Sequence, residues 1–154
     1  MMDKELGKLI ERQEVEDLVT KLFILTDSLD WKRMLDEILG KEVYFDMRSL
    51  EGEEPRELTA KEITDAWEKG LRPMKAVHHQ MGNLIVTVSG ERAMATCYAT
   101  ATHFLTTKGA ESTRTFAGSY EIGVAKTLRG WRIDSFRYLS RFVLGNLNLG
   151  RGQS

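Results

Sequence analysis

The chain of 154 residues has little cysteine, little proline and no long hydrophobic run. Its one cysteine, Cys97, excludes an intrachain disulfide and is typical of a reducing compartment. No apolar run approaches the length that crosses a membrane. The N-terminus is too polar for the apolar segment of a signal peptide. We therefore expect a cytoplasmic protein.

An excess of charge of one sign is also missing. The chain carries 22 basic and 23 acidic residues, a net charge of -1, and no block of like charge. Neither nucleic acid nor an anionic membrane surface is therefore an expected partner. The length suits a single domain, residues 1–154, with a core that needs no disulfide or metal.

The first half of the sequence predicts helices. Apolar residues recur at spacings of three and four from Val15 to Leu25, which indicates an amphipathic helix. A second, short helix follows from Trp31 and ends at Gly40. After a predicted strand at residues 43–47 and a loop at 51–57, Thr59 opens a further helix with a capping box.

The second half predicts long strands at residues 76–89, 93–107, 113–127 and 131–141, joined by short turns that favour antiparallel pairing. The inward-facing positions change parity at Gly82, which predicts a bulge that bends the first of these strands. Helices followed by a meander of bent strands predict an α+β fold. Residues 145–154 are predicted to form a flexible tail.

Two of the three histidines fall at inward-facing strand positions. His79 lies between Val77 and Met81 on one face of its strand, and His103 lies on a face rich in small residues. Asp27 ends the long amphipathic helix, which could close over the same interior. One carboxylate and two imidazoles in one pocket would be suited to proton transfer.

Each of these residues also has a purely structural interpretation. A buried histidine is more often a satisfied core residue than a catalyst, and an aspartate at a helix end often serves as a cap. His78 should face away from His79, at the surface. Two histidines and one carboxylate could hold a metal, but no local ligand motif supports this, and we expect neither a metal nor another cofactor.

Three segments give the chain a resemblance to a known family. They are Thr26-Asp27-Ser28-Leu29-Asp30-Trp31, His78-His79-Gln80-Met81-Gly82-Asn83 and Ala101-Thr102-His103-Phe104. In these segments the chain resembles the scytalone-dehydratase-like branch of the SnoaL-like, NTF2-like superfamily. The resemblance extends from about residue 8 to residue 140. It implies an NTF2-like cone, in which N-terminal helices pack on a strongly curved, mixed and mostly antiparallel sheet.

The resemblance also implies roles for three residues. Asp27 would accept a hydrogen bond from one ring nitrogen of His79, and His79 would be the general base. His103 would deliver a proton to the leaving hydroxyl.

The chain departs from this family pattern where scytalone dehydratase has two tyrosines that polarise the substrate carbonyl. Thr26 and Met47 stand at these positions. Ser119 or Tyr120 could replace the tyrosines, and alternation does not decide which of the two faces the cavity. The substrate-pocket candidates are Phe45, Met47, Trp67, Ser119 and Tyr120, a largely apolar set.

The resulting expectation is a cofactor-independent lyase, a dehydratase or a dehydrohalogenase, acting on a small cyclic hydrophobic compound. Two alternatives stay open. One is an isomerase that shifts a double bond beside a ketone. The other is a ligand-binding or assembly module without catalysis. The resemblance further implies a homo-oligomer, either a trimer or a dimer.

Overall fold

A computed structural model describes residues 1–150 of the chain. The helices are α1 (Met2–Asp27), α2 (Trp31–Arg33), a π-helical turn (Met34–Ile38), α3 (Arg48–Glu51) and α4 (Ala60–Leu71). The strands are β1 (Leu39–Asp46), β2 (Arg56–Thr59), β3 (Ala76–Ser89), β4 (Arg92–Thr107), β5 (Ala110–Thr127) and β6 (Gly130–Gly145).

The described strands form one sheet of six, in the order β2-β1-β6-β5-β4-β3. β1 and β6 are parallel, and every other neighbouring pair is antiparallel. The sheet is mixed and does not close, because β2 and β3 remain at its edges. The predicted α+β class, with an N-terminal helix packed on a mixed, mostly antiparallel sheet, is confirmed.

The core lies between α1 and the inner face of this sheet. α1 contributes Val15, Val19 and Leu22, which are almost fully buried. The facing strand β4 contributes small side chains, among them Ala95 and Cys97. Small residues on the sheet allow the helix to lie close at one end and leave free volume at the other, where the cavity described below is found.

A bulge bends β3 near its middle. The register with β4 shifts between Gly82 and Ile85, and Asn83 has a positive φ of 52°. Before the bulge His79 faces inward, and after it Val86 does. The parity change in the sequence therefore predicted this bulge correctly, because an extra residue in one strand reverses the facing of those that follow.

Three parts of the chain differ from the sequence prediction. The predicted second helix consists of α2 followed by the π-helical turn. It ends before Gly40, because β1 begins at Leu39, where it pairs with β6. The predicted loop at 51–57 contains the start of β2, an edge strand paired with β1. The predicted strand at 43–47 is thus longer at its start and one residue shorter at its end, since Met47 precedes α3.

The third difference concerns the predicted tail. β6 extends to Gly145, the Asn146 backbone N–H donates to Thr113 O at 2.8 Å, and Leu149 is only 4% exposed. Residues 145–150 are therefore held against the body of the protein. The rest of the predicted tail, residues 151–154, lies outside the described residues.

Within residues 1–150, no helix combines the length and the apolar character needed to cross a bilayer.

Candidate active site

A cavity of about 270 Å³ opens between the C-terminal half of α1, helix α4 and the inner face of the sheet. It lies over Ala101, whose small side chain on β4 leaves the space free. Its walls are mostly apolar, and the polar side chains among them are those of Thr26, Glu51, His79, His103, Arg114, Tyr120 and Tyr138. A largely apolar hollow with a few converging polar groups is typical of small-molecule sites.

Asp27 and His79 form a hydrogen-bonded pair at one side of this cavity. The Asp27 Oδ1 and His79 Nδ1 atoms are 2.6 Å apart, and the backbone N–H of His79 also donates to the same carboxylate, at 3.0–3.1 Å. The side chains of His79 and Asp27 are 10% and 23% exposed. Because a carboxylate only accepts hydrogen bonds, this contact places a proton on Nδ1, and in a neutral ring Nε2 then keeps its lone pair.

The last turn of α1 brings the two residues together across 52 positions of sequence. Asp27 is the last residue of the helix, and the preceding Thr26 is buried with its hydroxyl donated to Leu22 O. Phe23, one turn earlier, packs against the imidazole with ring centroids 5.4 Å apart. The helix end therefore fixes both the carboxylate and the plane of the ring.

His103 lines the same cavity from β4, but its partner has the opposite charge. Arg114 Nη2 lies 3.2 Å from His103 Nδ1. The Arg114 guanidinium also donates to Leu149 O at 3.3 Å and lies over the Phe116 ring, 4.9 Å from its centroid. Burial first, then the charge of Arg114, lowers the pKa of His103 from 6.5 to about 4. His103 is therefore neutral at pH 7.

A tight turn determines which residue faces His103. Lys108 and Gly109 both have positive φ, 51° and 78°, as two-residue hairpins of type I′ require. The turn sets Thr107 opposite Ala110, and the unbroken register then sets His103 opposite Arg114.

Two tyrosines face the cavity from the neighbouring strands. Tyr120 on β5 is 8% exposed, and burial raises the pKa of its hydroxyl, which therefore stays protonated and can donate. Tyr138 on β6 lies beside it, with ring centroids 4.9 Å apart. Gly118 makes room for Tyr138, since a Cβ at residue 118 would lie 2.5 Å from the tyrosine ring.

Of the five predicted substrate-pocket residues, three line the cavity and two do not. Met47, Trp67 and Tyr120 line the cavity. Phe45 does not, because it lies one layer behind, stacked on Phe136 at 5.4 Å. Ser119 does not line it either, because alternation along β5 turns it to the other face of the sheet. Of Ser119 and Tyr120, only Tyr120 thus has its side chain in the cavity wall.

Glu51 lines the cavity from the end of α3, on the side toward solvent. Burial, followed by the nearby Glu53, raises the pKa of its carboxyl. The loop predicted for this region therefore contributes a titratable group to the site.

Sequence reasoning missed Glu51, Arg114 and Tyr138 as cavity residues. A signal for Arg114 was present, since the predicted Lys108-Gly109 turn already determines the residue that pairs with His103. Within residues 1–150, no cluster of three or more histidine, cysteine, aspartate or glutamate side chains has the geometry of a metal site.

Comparison with protein families gives one match. A family model described as a SnoaL-like domain matches residues 7–137, most of the chain. No curated protein sequence matches the chain at a significant level.

Solved structures share the fold at low sequence identity. The Kfla4162 protein from Kribbella flavida is 19% identical, with a TM-score of 0.83 over 89% of this chain and 95% of its own. A candidate scytalone dehydratase from Novosphingobium aromaticivorans is 14% identical, with a TM-score of 0.72 over 95% and 92%. A hexachlorocyclohexane dehydrochlorinase, LinA type 3 from Novosphingobium barchaimii, is 12% identical, with a TM-score of 0.71 over 94% and 96%.

Proposed function

The chain belongs to the SnoaL-like domain family, and from this premise we propose that it is a cofactor-independent lyase that eliminates water or a halide from a small cyclic hydrophobic compound. Asp27 and His79 act as an oriented general base. The observation that carries the proposal is the 2.6 Å contact between Asp27 Oδ1 and His79 Nδ1, made by a histidine that lines an open cavity.

The proposed step is a proton abstraction followed by loss of a leaving group. His79 Nε2 takes a proton from a substrate carbon, and the electron pair of the C–H bond becomes the new double bond. The leaving group departs with the electron pair of its own bond to carbon. A departing hydroxide takes up the abstracted proton from His79 and leaves as water, whereas a halide leaves as the anion and His79 returns the proton to solvent. Asp27 stabilises the imidazolium that results. Base catalysis of this kind contributes roughly 10²–10⁴-fold in rate.

The cavity suits a compact, mainly apolar substrate. Its volume of about 270 Å³ lies just below the roughly 300–1,000 Å³ range of ligand pockets. Trp67, Phe116 and Phe136 supply flat apolar walls. Solved neighbours that are named as a candidate scytalone dehydratase and as a hexachlorocyclohexane dehydrochlorinase support an elimination reaction.

The two alternatives make different demands on the site. A module without catalysis requires neither the Asp27–His79 hydrogen bond nor an open space beside it, and both are present. An isomerase would use the same base without a leaving group. Product analysis distinguishes it from a lyase, because isomerisation conserves the mass of the substrate.

The test is a screen followed by matched variants. We expect the purified protein to release water or halide from at least one member of a panel of cyclic β-hydroxyketones and chlorinated cyclohexanes. His79→Ala should reduce turnover roughly 10²–10⁴-fold. His78→Ala is the matched control, because His78 is the exposed neighbour on the other face of β3 and should leave turnover unchanged.

The assignment is wrong if no member of the panel loses a leaving group. It is also wrong if His79→Ala keeps the turnover of the control while both variants remain folded by circular dichroism.

We further propose that the protein acts in the cytoplasm as a homodimer or homotrimer. The single cysteine is buried, which fits a reducing compartment. Met94 and Tyr98, both nearly half exposed, lie on the outer face of β4, where a partner subunit could cover them. Sedimentation equilibrium gives the mass, and a monomer at micromolar concentration would exclude the oligomer.

A further inference from the structure

The two cavity histidines hold partners of opposite charge at the same ring nitrogen. At His79, Nδ1 contacts a carboxylate, and at His103, Nδ1 contacts a guanidinium. The two rings are diagonal neighbours on one face of the sheet, since His79 pairs with Ala101 and His103 pairs with Val77. Both residues line the same cavity.

We infer that Arg114 is a positioning residue that fixes His103 in the Nε2–H tautomer, so that His103 offers the substrate a hydrogen-bond donor while His79 offers a base. The inference rests on the proposed function for its catalytic meaning. Arginine in proteins is always charged and has no acceptor, so the contact with His103 Nδ1 requires the ring nitrogen to accept. A neutral imidazole that accepts at Nδ1 carries its proton on Nε2.

The surrounding charges favour this neutral form. The groups that act on His103 are Arg114 from β5, His79 from β3 and Asp27 from α1, and Glu51 from α3 lines the same cavity. Burial and the Arg114 charge oppose protonation and outweigh the attraction of Asp27, which leaves the pKa at about 4.

This tautomer changes the role that the family resemblance gave to His103. A neutral imidazole can donate a hydrogen bond to a carbonyl oxygen, a hydroxyl or a departing halide without surrendering its proton. His103 therefore stabilises negative charge that develops on the substrate, and it does not deliver a proton. The substrate class narrows to compounds with an acceptor atom at a ring position near the abstracted proton.

Nitrogen NMR of the histidine rings tests the inference without any substrate. In ¹⁵N-labelled wild-type protein at pH 7, His103 should show a protonated Nε2 and an unprotonated Nδ1, and His79 the reverse. On lowering the pH to 5, the His103 signals should stay those of a neutral ring.

Variants of Arg114 then test whether the arginine is the cause. In Arg114→Met, His103 should lose the single Nε2–H pattern and titrate at a higher pH, because the opposing charge is gone. Arg114→Lys should restore much of the wild-type pattern. Arg141→Met is the matched control: Arg141 lies over Tyr98 at the outer face, and its loss should leave both histidines unchanged.

A wild-type His103 protonated at Nδ1 overturns the inference, whether or not the variants fold. So does a folded Arg114→Met whose His103 signals match the wild type. Neither result touches the proposed function, which fails separately if His79→Ala keeps its turnover.

Discussion

The two histidines of the cavity have the same side chain and opposite surroundings. His79 is held by the carboxylate of Asp27 at the end of α1, and His103 by the guanidinium of Arg114 on β5. In the proposed mechanism the first partner leaves His79 a lone pair for the substrate, and the second leaves His103 an N–H. The comparison indicates that the partner of Nδ1 decides whether the imidazole offers the cavity an acceptor or a donor.

The largest expected effect comes from a variant that gives His79 the Nε2–H tautomer inferred for His103. In Asp27→Asn, the amide oxygen can keep the bond from the His79 backbone N–H, which turns the NH₂ group toward Nδ1. Nδ1 then accepts, the proton moves to Nε2, and the base is lost. We expect turnover to fall roughly 10²–10⁴-fold.

The measurement for Asp27→Asn is kcat with the best substrate of the screen, beside the unfolding midpoint in urea. Asp30→Asn is the matched control, since Asp30 caps the short helix α2 and does not face the cavity. A variant as active as this control would show that the carboxylate does not orient the base.

A smaller effect is expected from the hydroxyl of Tyr120, which lines the cavity. Tyr120→Phe removes a protonated hydroxyl and keeps the ring that packs on Phe23 and Phe136. A net hydrogen bond of about 0.5–1.5 kcal/mol corresponds to a loss of roughly two- to tenfold in kcat/KM. Tyr98→Phe, on the outer face, is the control that should be silent. Equal activity of both variants would show that the Tyr120 hydroxyl does not contribute to turnover.

A third effect concerns stability and pH and leaves turnover aside. The pKa of His103 is lower in the folded state, about 4, than its ordinary value of 6.5. Between these values the unfolded chain binds more protons, so the free energy of unfolding falls as pH falls from 6.5 to 4. In His103→Gln this contribution disappears and the slope becomes shallower.

Urea unfolding at pH 7, 5.5 and 4.5 measures that slope for the wild type and the variant. His78→Gln serves as the exposed control and should keep the wild-type slope. Identical slopes for all three proteins would mean that His103 does not titrate abnormally in the folded state.

Much of the fold could be predicted because its signals are local. The apolar spacing from Val15 to Leu25 indicated α1, the Thr59 capping box opened α4, and the parity change at Gly82 located the bulge in β3. These features depend on residues within a few positions of one another. The short turns in the second half indicated the antiparallel meander for the same reason.

Other parts could not be predicted because they depend on distant partners. The start of β1 at Leu39 is set by its parallel pairing with β6, almost a hundred positions away. Phe136 lines the cavity and Phe45 is stacked behind it, an arrangement that the alternation of residues along a strand does not predict. Arg114 could be predicted in part. The register of the hairpin places it opposite His103, but only the folded structure shows which atoms it contacts.

One measurement tests the central claim most directly, because it locates the protons themselves. Neutron diffraction from deuterium-exchanged crystals near pH 7 should show a deuteron on Nδ1 of His79, shared with Asp27, and none on Nε2. A deuteron on Nε2 of His79 would leave the ring without a lone pair toward the cavity, and the proposed base would not exist.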